Sequence, residues 1–525
     1  MIRLADFESY DDARGRFAWP RRARYNIAFE CCDRWAATSP ERTALILPDA
    51  AGRPVPLGYG ALAQLANRCA NALAALGLGQ GDRVAIHLGQ SLETVIAHLA
   101  AYKLGAIAVP LAAVFGPEAI VYRMEHAEAK LIITSPEGAS RLPPLDATIV
   151  VAGGGGERDL ERLMEAASPE RIGIDSGPDD PAMMIFTSGT TGQPKGALQG
   201  HRVLLGHLPG VQMHHDMMPA PGDVLWTPAD WAWAGGLLNV LLPGLAMGVP
   251  VAAQRSQRFD PEEALDWARI AGVRNAFIPP TALRMMQAVT PKVALRSIGS
   301  GGEQLGAATF EWARSAFGIT INEFYGQTEC NLVLSSSSHW GIATPGIIGR
   351  PVPGHEVAVI DGEGRELQEG EQGTIAIRAP DPVMFLGYWK NEAATREKFI
   401  GSWLTTGDQG IVEPGGVRFV GRDDDVISSS GYRIGPGEIE SCLAGHPAVA
   451  LAAVVGKPDT VRGEIVAAFV KLASGRRGDD VLKAEIQTHV RERLSAHEYP
   501  REITFVDEIP LTSTGKVIRR VFRGS

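Results

Sequence analysis

Cysteine is scarce in this chain. Its five thiols (Cys31, Cys32, Cys69, Cys330, Cys442) are irregularly spaced over 525 residues and form no C-x-x-C pair. That density excludes a disulfide scaffold and fits reduced thiols in a cytoplasmic protein. Basic charge is also short: 50 Lys and Arg stand against 60 Asp and Glu, a net charge of −10. A general nucleic-acid binder shows the opposite balance. The opening MIRLADFESYDDARGRF mixes charge with apolar residues and has no apolar core, so no signal peptide is expected. One uncharged run, Trp231 to Gln254, is long enough to span a bilayer. It is broken by Asn239, Pro243 and Pro250, and Gly248–Val251 reads as a turn entering a strand. A buried helix followed by a buried strand is expected there instead of a membrane span.

What is present is ordinary globular composition, 45% hydrophobic and 21% charged, in a chain too long for one average domain. Leu62, Leu65, Cys69, Leu73 and Leu76 recur at three- and four-residue steps, one face of a helix. A strand, Val84–Leu88, comes next. The glycines of Gly77–Asp82 therefore lie before a strand, where a dinucleotide fingerprint needs them after one. Helix-then-strand units recur at Glu118–His126 with Leu131–Thr134, and at Pro261–Ala271 with Ala276–Ile278. This alternation predicts an α/β body with largely parallel sheets. Gly153–Gly156 reads as a surface loop. After Gly349 the chain turns to short β-rich stretches, Val357–Ile360 and Thr374–Arg378. Past Gly421 it changes again, to a small unit with a helix from Pro436, a strand at Ala450–Val455 and a helix face at Leu482, Ile486 and Val490. Two domains are expected, residues 1–421 and 422–525.

The chemistry concentrates after a short apolar strand, Ala182–Phe186. It runs into Thr187, Ser188, Gly189, Thr190, Thr191, Gly192, Gln193, Pro194, Lys195 and Gly196. Small residues let a backbone approach a polyanion, hydroxyls and N–H groups donate to its oxygens, and Lys195 adds a positive charge. It is not a Walker A loop, because the position five after Gly189 is Pro194.

This stretch resembles the phosphate-binding signature of the adenylate-forming superfamily, which includes acyl-CoA synthetases. Five further segments match in order and approximate spacing: Asn322–Glu329 (NEFYGQTE), Phe385–Trp389 (FLGYW), Thr406–Asp408 (TGD), Gly421–Glu440 (GRDDDVISSSGYRIGPGEIE) and Pro510–Lys516 (PLTSTGK). The resemblance covers nearly the whole chain. It implies an α/β fold: a large N-terminal body of parallel sheets with helices and a β-rich subdomain, and a small mobile α+β C-terminal domain. It also implies an ATP-dependent acid–CoA ligase that forms acyl-AMP and then acyl-CoA.

By that resemblance Thr187 to Lys195 would grip the ATP phosphates, and Glu329 would hold Mg²⁺, a hard cation suited to carboxylate oxygen. Thr328 would donate toward the phosphate and the acyl carboxylate. Gly301, Gly302, Glu303 and Glu323 would lie along the adenine, and Asp408 would accept from the ribose hydroxyls. Arg422 would stand beside the hinge and Asp424 at it. Arg433 would approach the nucleotide in the adenylating state, and Gly431 would let the pantetheine arm of CoA pass in the second state. Lys516 matches the adenylation lysine, a fixed cation for the charge that builds at the α-phosphate. The same segment resembles one that protein acetyltransferases modify in bacterial acyl-CoA synthetases, so an acetyltransferase acting on Lys516 is a candidate partner. His201, His207, His214 and His215 fit no zinc spacing and read as packing or surface residues.

For the acid, Trp226–Gly236 (WTPADWAWAGG) resembles the segment beside the acyl chain, with Trp233 and Ala234 in the pocket. Ala234 stands where amino-acid-activating relatives carry Asp. Gly326 stands where acetate-specific relatives carry Trp, and Gly301 adds no bulk nearby. An open apolar pocket gains about 0.8 kcal/mol per buried methylene, so medium-chain fatty acids are expected ahead of branched short-chain and aryl acids. An adenylating enzyme that loads a separate carrier protein is the alternative. A non-catalytic nucleotide binder is disfavoured because Lys516, Glu329 and Asp408 are all present.

Overall fold

The computed structural model describes residues 3–187, 193–254, 259–423, 425–429, 432–459, 463–494, 499–512 and 516–523, with Ser428, Tyr432 and Arg433 described by backbone alone. Apolar runs flanked by helices build two large sheets. In one, strands 43–48, 251–252, 225–226, 275–277, 297–301 and 321–325 lie parallel side by side, with antiparallel strands at both edges. In the other, strands 181–187, 107–110, 83–87, 129–134 and 148–151 are parallel, and 195–200 closes antiparallel on 181–187. A smaller antiparallel sheet from 357 to 422 forms the β-rich part.

The predicted elements fall where the periodicity places them. Helix Tyr59–Ala75 buries Leu62, Cys69 and Leu73. Helices Pro117–Ala127 and Pro261–Ile270 precede strands Ala129–Thr134 and Asn275–Phe277. Side-chain caps start several of these helices: Ser91 accepts from the Thr94 N–H at 3.2 Å, and Asp260 accepts from Glu262 and Glu263 ahead of a proline at the first turn. The uncharged run from Trp231 is three short helical turns, ending at Met247, and then strand Val251–Ala252. Among the described residues no helix is long and apolar enough to cross a membrane.

Helix Arg202–His214 is the central brace. It packs against strand Lys195–Gly200 of one large sheet and strands Ser297–Gly301 and Ile321–Tyr325 of the other. Being sandwiched, it buries nearly every position from Val203 to His214. Close approach is possible because Gly206 faces Val383 and Gly210 faces Leu332; a Cβ at 210 would lie 1.9 Å from the leucine side chain.

From Ile427 onward the chain builds its own sheet, with strands 427–429, 432–434, 449–459, 463–472 and 502–505 and helices Pro436–Ala444 and Asp480–Arg493. Its apolar clusters draw on residues from Ile427 to Phe522, and those of the body on residues up to Phe419; among the described residues no cluster is shared. The two meet along a seam of small residues. A Cβ at Gly306 would lie 2.0 Å from Ser441 Oγ, and one at Gly437 would lie 2.2 Å from Gln304 Oε1.

Candidate active site

Parallel sheets bind ligands outside the carboxyl ends of their strands, and the quoted motifs gather at those ends. Strand Ser297–Gly301 delivers Gly302 and Glu303, and strand Ile321–Tyr325 delivers Gly326 to Glu329. The hairpin pairing of Thr187 with Lys195 fixes the mouth of the glycine-rich loop. Ser188, Gly189, Thr190, Thr191 and Gly192 lie outside the described residues, as do Asp424 and Gly431 and the side chain of Arg433.

Asp408 is the most elaborately held group. It is 5% exposed, and its carboxylate accepts from the Tyr325 hydroxyl and from Gln327 Nε2, both at 2.6 Å. Arg422 reaches its other oxygen at 3.5 Å. Burial raises its pKa, against the pull of Arg422, Tyr325, Gln327 and Lys516. Glu303 is tied down by Arg284 at 2.7 Å and the Thr281 hydroxyl at 2.5 Å. Half-buried Glu323 has few compensating donors, and burial lifts its carboxyl pKa to about 8.

Lys516 comes from the C-terminal unit to this same place. It is exposed to solvent. Desolvation by the protein around it lowers its pKa; the charges of Glu303 and Asp408 raise it, and Arg422 and Arg519 lower it. A residue 213 positions after Glu303 in sequence thus shares its field.

Across the cleft, buried Glu329 accepts a short hydrogen bond from the Tyr388 hydroxyl on Oε1. Its second oxygen has no partner among the described residues. The Lys195 ammonium lies 5.1 Å from the centre of the Tyr388 ring. Thr328 is anchored by its carbonyl, which accepts from Gln199 Nε2 at 2.6 Å. A carboxylate held on one oxygen by a tyrosine, the other oxygen unpartnered among the described residues, is a fitting donor for Mg²⁺ on a phosphate chain. Among the described residues no cluster of three His, Cys, Asp or Glu side chains forms a separate metal site.

On the apolar side, Trp233 packs edge-on against Phe115, ring centres 5.5 Å apart, with Ala234 beside it. Here two expectations are corrected. A Cβ at Gly326 would lie 1.0 Å from the carbonyl oxygen of Asn331, so this glycine backs onto main chain and leaves no open pocket floor. A Cβ at Gly301 would lie 2.5 Å from the Phe324 carbonyl and 2.8 Å from its ring, so the adjacent wall is already filled by Phe324. Phe324 in turn stacks on His214 at 4.5 Å and leans on Phe277 at 5.3 Å. Sequence reasoning missed these aromatics, together with Tyr325, Gln327 and Tyr388. The last three lie inside quoted motifs but carried no role of their own. The histidines are packing residues: His207 meets Asn239 at 2.8 Å, His215 meets Ser297 at 2.9 Å, and burial pushes their pKa values down to about 4 and about 3.

Comparison with known proteins agrees with this geometry. The AMP-binding enzyme model matches residues 32–389, and the AMP-binding enzyme C-terminal domain matches residues 438–516. The chain is 34% identical to "Acetyl-coenzyme A synthetase" of Bacillus subtilis over 99% of its own length and 95% of that protein. An acyl-CoA synthetase of Brucella canis superposes with a TM-score of 0.76 at 35% identity, covering 99% of both chains. MatB of Rhodopseudomonas palustris, 29% identical and covering 95% of this chain and 98% of its own, superposes at 0.84 with ATP bound and at 0.76 in its apo form.

The chain therefore belongs to the AMP-binding enzymes of the adenylate-forming superfamily. Within that superfamily it is an acyl-CoA synthetase, an AMP-forming acid–CoA ligase that uses ATP and coenzyme A as substrates.

Proposed function

We propose that this ligase acts on medium-chain fatty acids, in two steps separated by a turn of the C-terminal unit. In the first, the acid carboxylate attacks the α-phosphorus of ATP, the α–β bridge breaks and pyrophosphate leaves. Lys516 faces the developing charge, Thr328 and the Thr187–Lys195 loop hold the phosphates, and Asp408 orients the ribose. Gly301, Gly302, Glu303 and Glu323 flank the base. Mg²⁺, held by Glu329, would neutralise phosphate charge. In the second step the CoA thiol attacks the acyl carbonyl and AMP leaves. Asp424 serves as the hinge between residues 1–421 and 422–525 with Arg422 beside it, Arg433 approaches the nucleotide before the turn, and Gly431 clears the pantetheine path after it.

The observation that carries the adenylating state is Lys516 within the field of Glu303 and Asp408. The closer match to the ATP-bound than to the apo form of MatB supports the same orientation. For the acid, Trp233, Phe115, Phe277 and Phe324 offer an apolar, aromatic lining. The B. subtilis relative is named for acetate, which makes a short acid the rival. A panel from acetate through medium-chain, branched and aryl acids, with pyrophosphate and AMP followed with and without CoA, decides between them. A kcat/KM maximum at acetate overturns the medium-chain reading. AMP release that never depends on CoA points to a carrier protein instead. Lys516 acetylation would remove the charge the first step needs. Acetylated protein that still forms acyl-AMP at the unmodified rate ends that idea.

A further inference from the structure

Lys516 sits at the base of a small hairpin. Thr512 N–H donates to the Lys516 carbonyl at 2.7 Å, Lys516 N–H donates to the Thr512 hydroxyl at 3.0 Å, and Leu511 bridges Val517. Val517, beside it, packs on the apolar cluster of Ile509 and Phe522, and the Ile518 N–H donates to the Pro510 carbonyl at 2.9 Å. The turn after the hairpin supplies a polar anchor. Arg519, three residues on, forks across two carboxylates: Nε and Nη2 donate to the two oxygens of Glu440 at 2.8 and 2.5 Å, and Nη1 donates to Asp425 at 2.9 Å. Glu440 lies on helix Pro436–Ala444, which rests on the body at the glycine seam. It also accepts from the Val454 N–H at 2.9 Å, so it is itself immobilised. Asp425 comes directly after the proposed hinge and takes a second cation, Arg523. Phe522 stacks on Phe469 at 4.4 Å and pins the end of the turn.

We infer that Arg519 is a positioning residue for the adenylation half-reaction, locking the Lys516 hairpin to the seam helix and to the hinge. Mutually satisfied ion pairs of this kind add little net stability but fix geometry. Geometry is what a catalytic cation needs, since a displacement near 1 Å can cost on the order of 100-fold in rate. A lysine could not replace the fork, because it is a point charge and cannot engage both carboxylates in fixed directions. The inference rests on the proposed role of Lys516 and goes beyond it, assigning a residue that meets neither nucleotide nor acid.

The test is a double-mutant cycle on the full-length enzyme, read in two assays: acyl-AMP formation from acid and ATP, and thioester formation from synthetic acyl-AMP and CoA. Arg519→Gln is expected to slow the first by roughly 10- to 100-fold and to leave the second within about threefold, a split that general destabilisation does not produce. In a Lys516→Ala background Arg519→Gln should cost nothing further, and Arg519→Lys should restore only part of the loss. Equal losses in both assays, or a full multiplicative loss on top of Lys516→Ala, overturn the inference. If Arg519→Gln does not fold, Glu440→Gln breaks the same fork from the other side and must give the same split. A Lys516→Ala enzyme that adenylates normally sinks the underlying reading of Lys516 instead, an outcome the cycle reads separately.

Discussion

The proposed nucleotide side of the cleft is built from charges and hydroxyls, each held by a named partner: Asp408 by Tyr325, Gln327 and Arg422, Glu303 by Arg284 and Thr281, Glu329 by Tyr388. The proposed acyl side is built from rings and missing side chains: Trp233 on Phe115, Phe324 on His214 and Phe277, Gly301 and Gly326 against neighbouring backbone. The first kind of wall is expected to tolerate almost no change of residue type, because each group would have one chemical task. The second kind is defined by shape, and several residues can supply the same volume.

The sharpest way to test this contrast is at Lys516. Lys516→Ala should cut acyl-AMP formation by about 10²- to 10³-fold while synthetic acyl-AMP and CoA still give product; equal loss in both assays would remove Lys516 from the nucleotide side. Asp408→Ala comes next. Hydrogen bonds to a charged group are worth about 1.5–3 kcal/mol each, so ATP binding measured by calorimetry should weaken roughly 10- to 100-fold. An unchanged dissociation constant would mean the ribose lies elsewhere.

On the acyl side, Gly326→Trp should act on folding first. With 1.0 Å between its Cβ and the Asn331 carbonyl oxygen, the 326–331 turn must move. Overpacking of this kind costs typically 1–3 kcal/mol, read as a Tm lowered by several degrees. A clean switch toward acetate at unchanged Tm would restore the open-floor reading and erase the contrast.

The last effect is confined to a pH window and is expected at Glu323. Its folded-state pKa, raised to about 8, exceeds the ordinary carboxylate value of 4.5. The folded protein therefore holds a proton that the unfolded chain has released. This group's contribution to stability is fully present below 4.5, falls as pH rises from there toward 8, and is flat above. Glu323→Gln should flatten the dependence of Tm on pH across that window. An identical slope in variant and parent would place the shift on another group.

The contrast also explains what could be read from sequence. The α/β alternation, the helix faces and the charged motifs were legible because each is a contiguous pattern. The partners of those charges were half legible: Tyr325 and Gln327 lie in the quoted NEFYGQTE run, yet nothing in their order says that both turn toward Asp408, 83 and 81 residues away. The acyl wall was misread at Gly326 because a glycine records only that a side chain is missing. It does not say whether the vacated direction meets open space or the carbonyl of Asn331. The Arg519 fork spans 79 and 94 residues and no local signal announces it.

The seam between body and C-terminal unit has a consequence of its own. Among the described residues neither side lends a hydrophobic cluster to the other, and Cβ atoms at Gly306 and Gly437 would first meet Ser441 Oγ and Gln304 Oε1. Parting them wets little grease, so the proposed turn carries no large penalty of its own. Reversing a 1:99 population takes about 5.5 kcal/mol, within what the phosphates of one bound nucleotide can supply. A seam this lean acts as a ballot that the substrates cast: triphosphate favours one pose, adenylate with thiol the other. A molecule wedged between Gly306 and Ser441 would stop the vote without touching either substrate's seat.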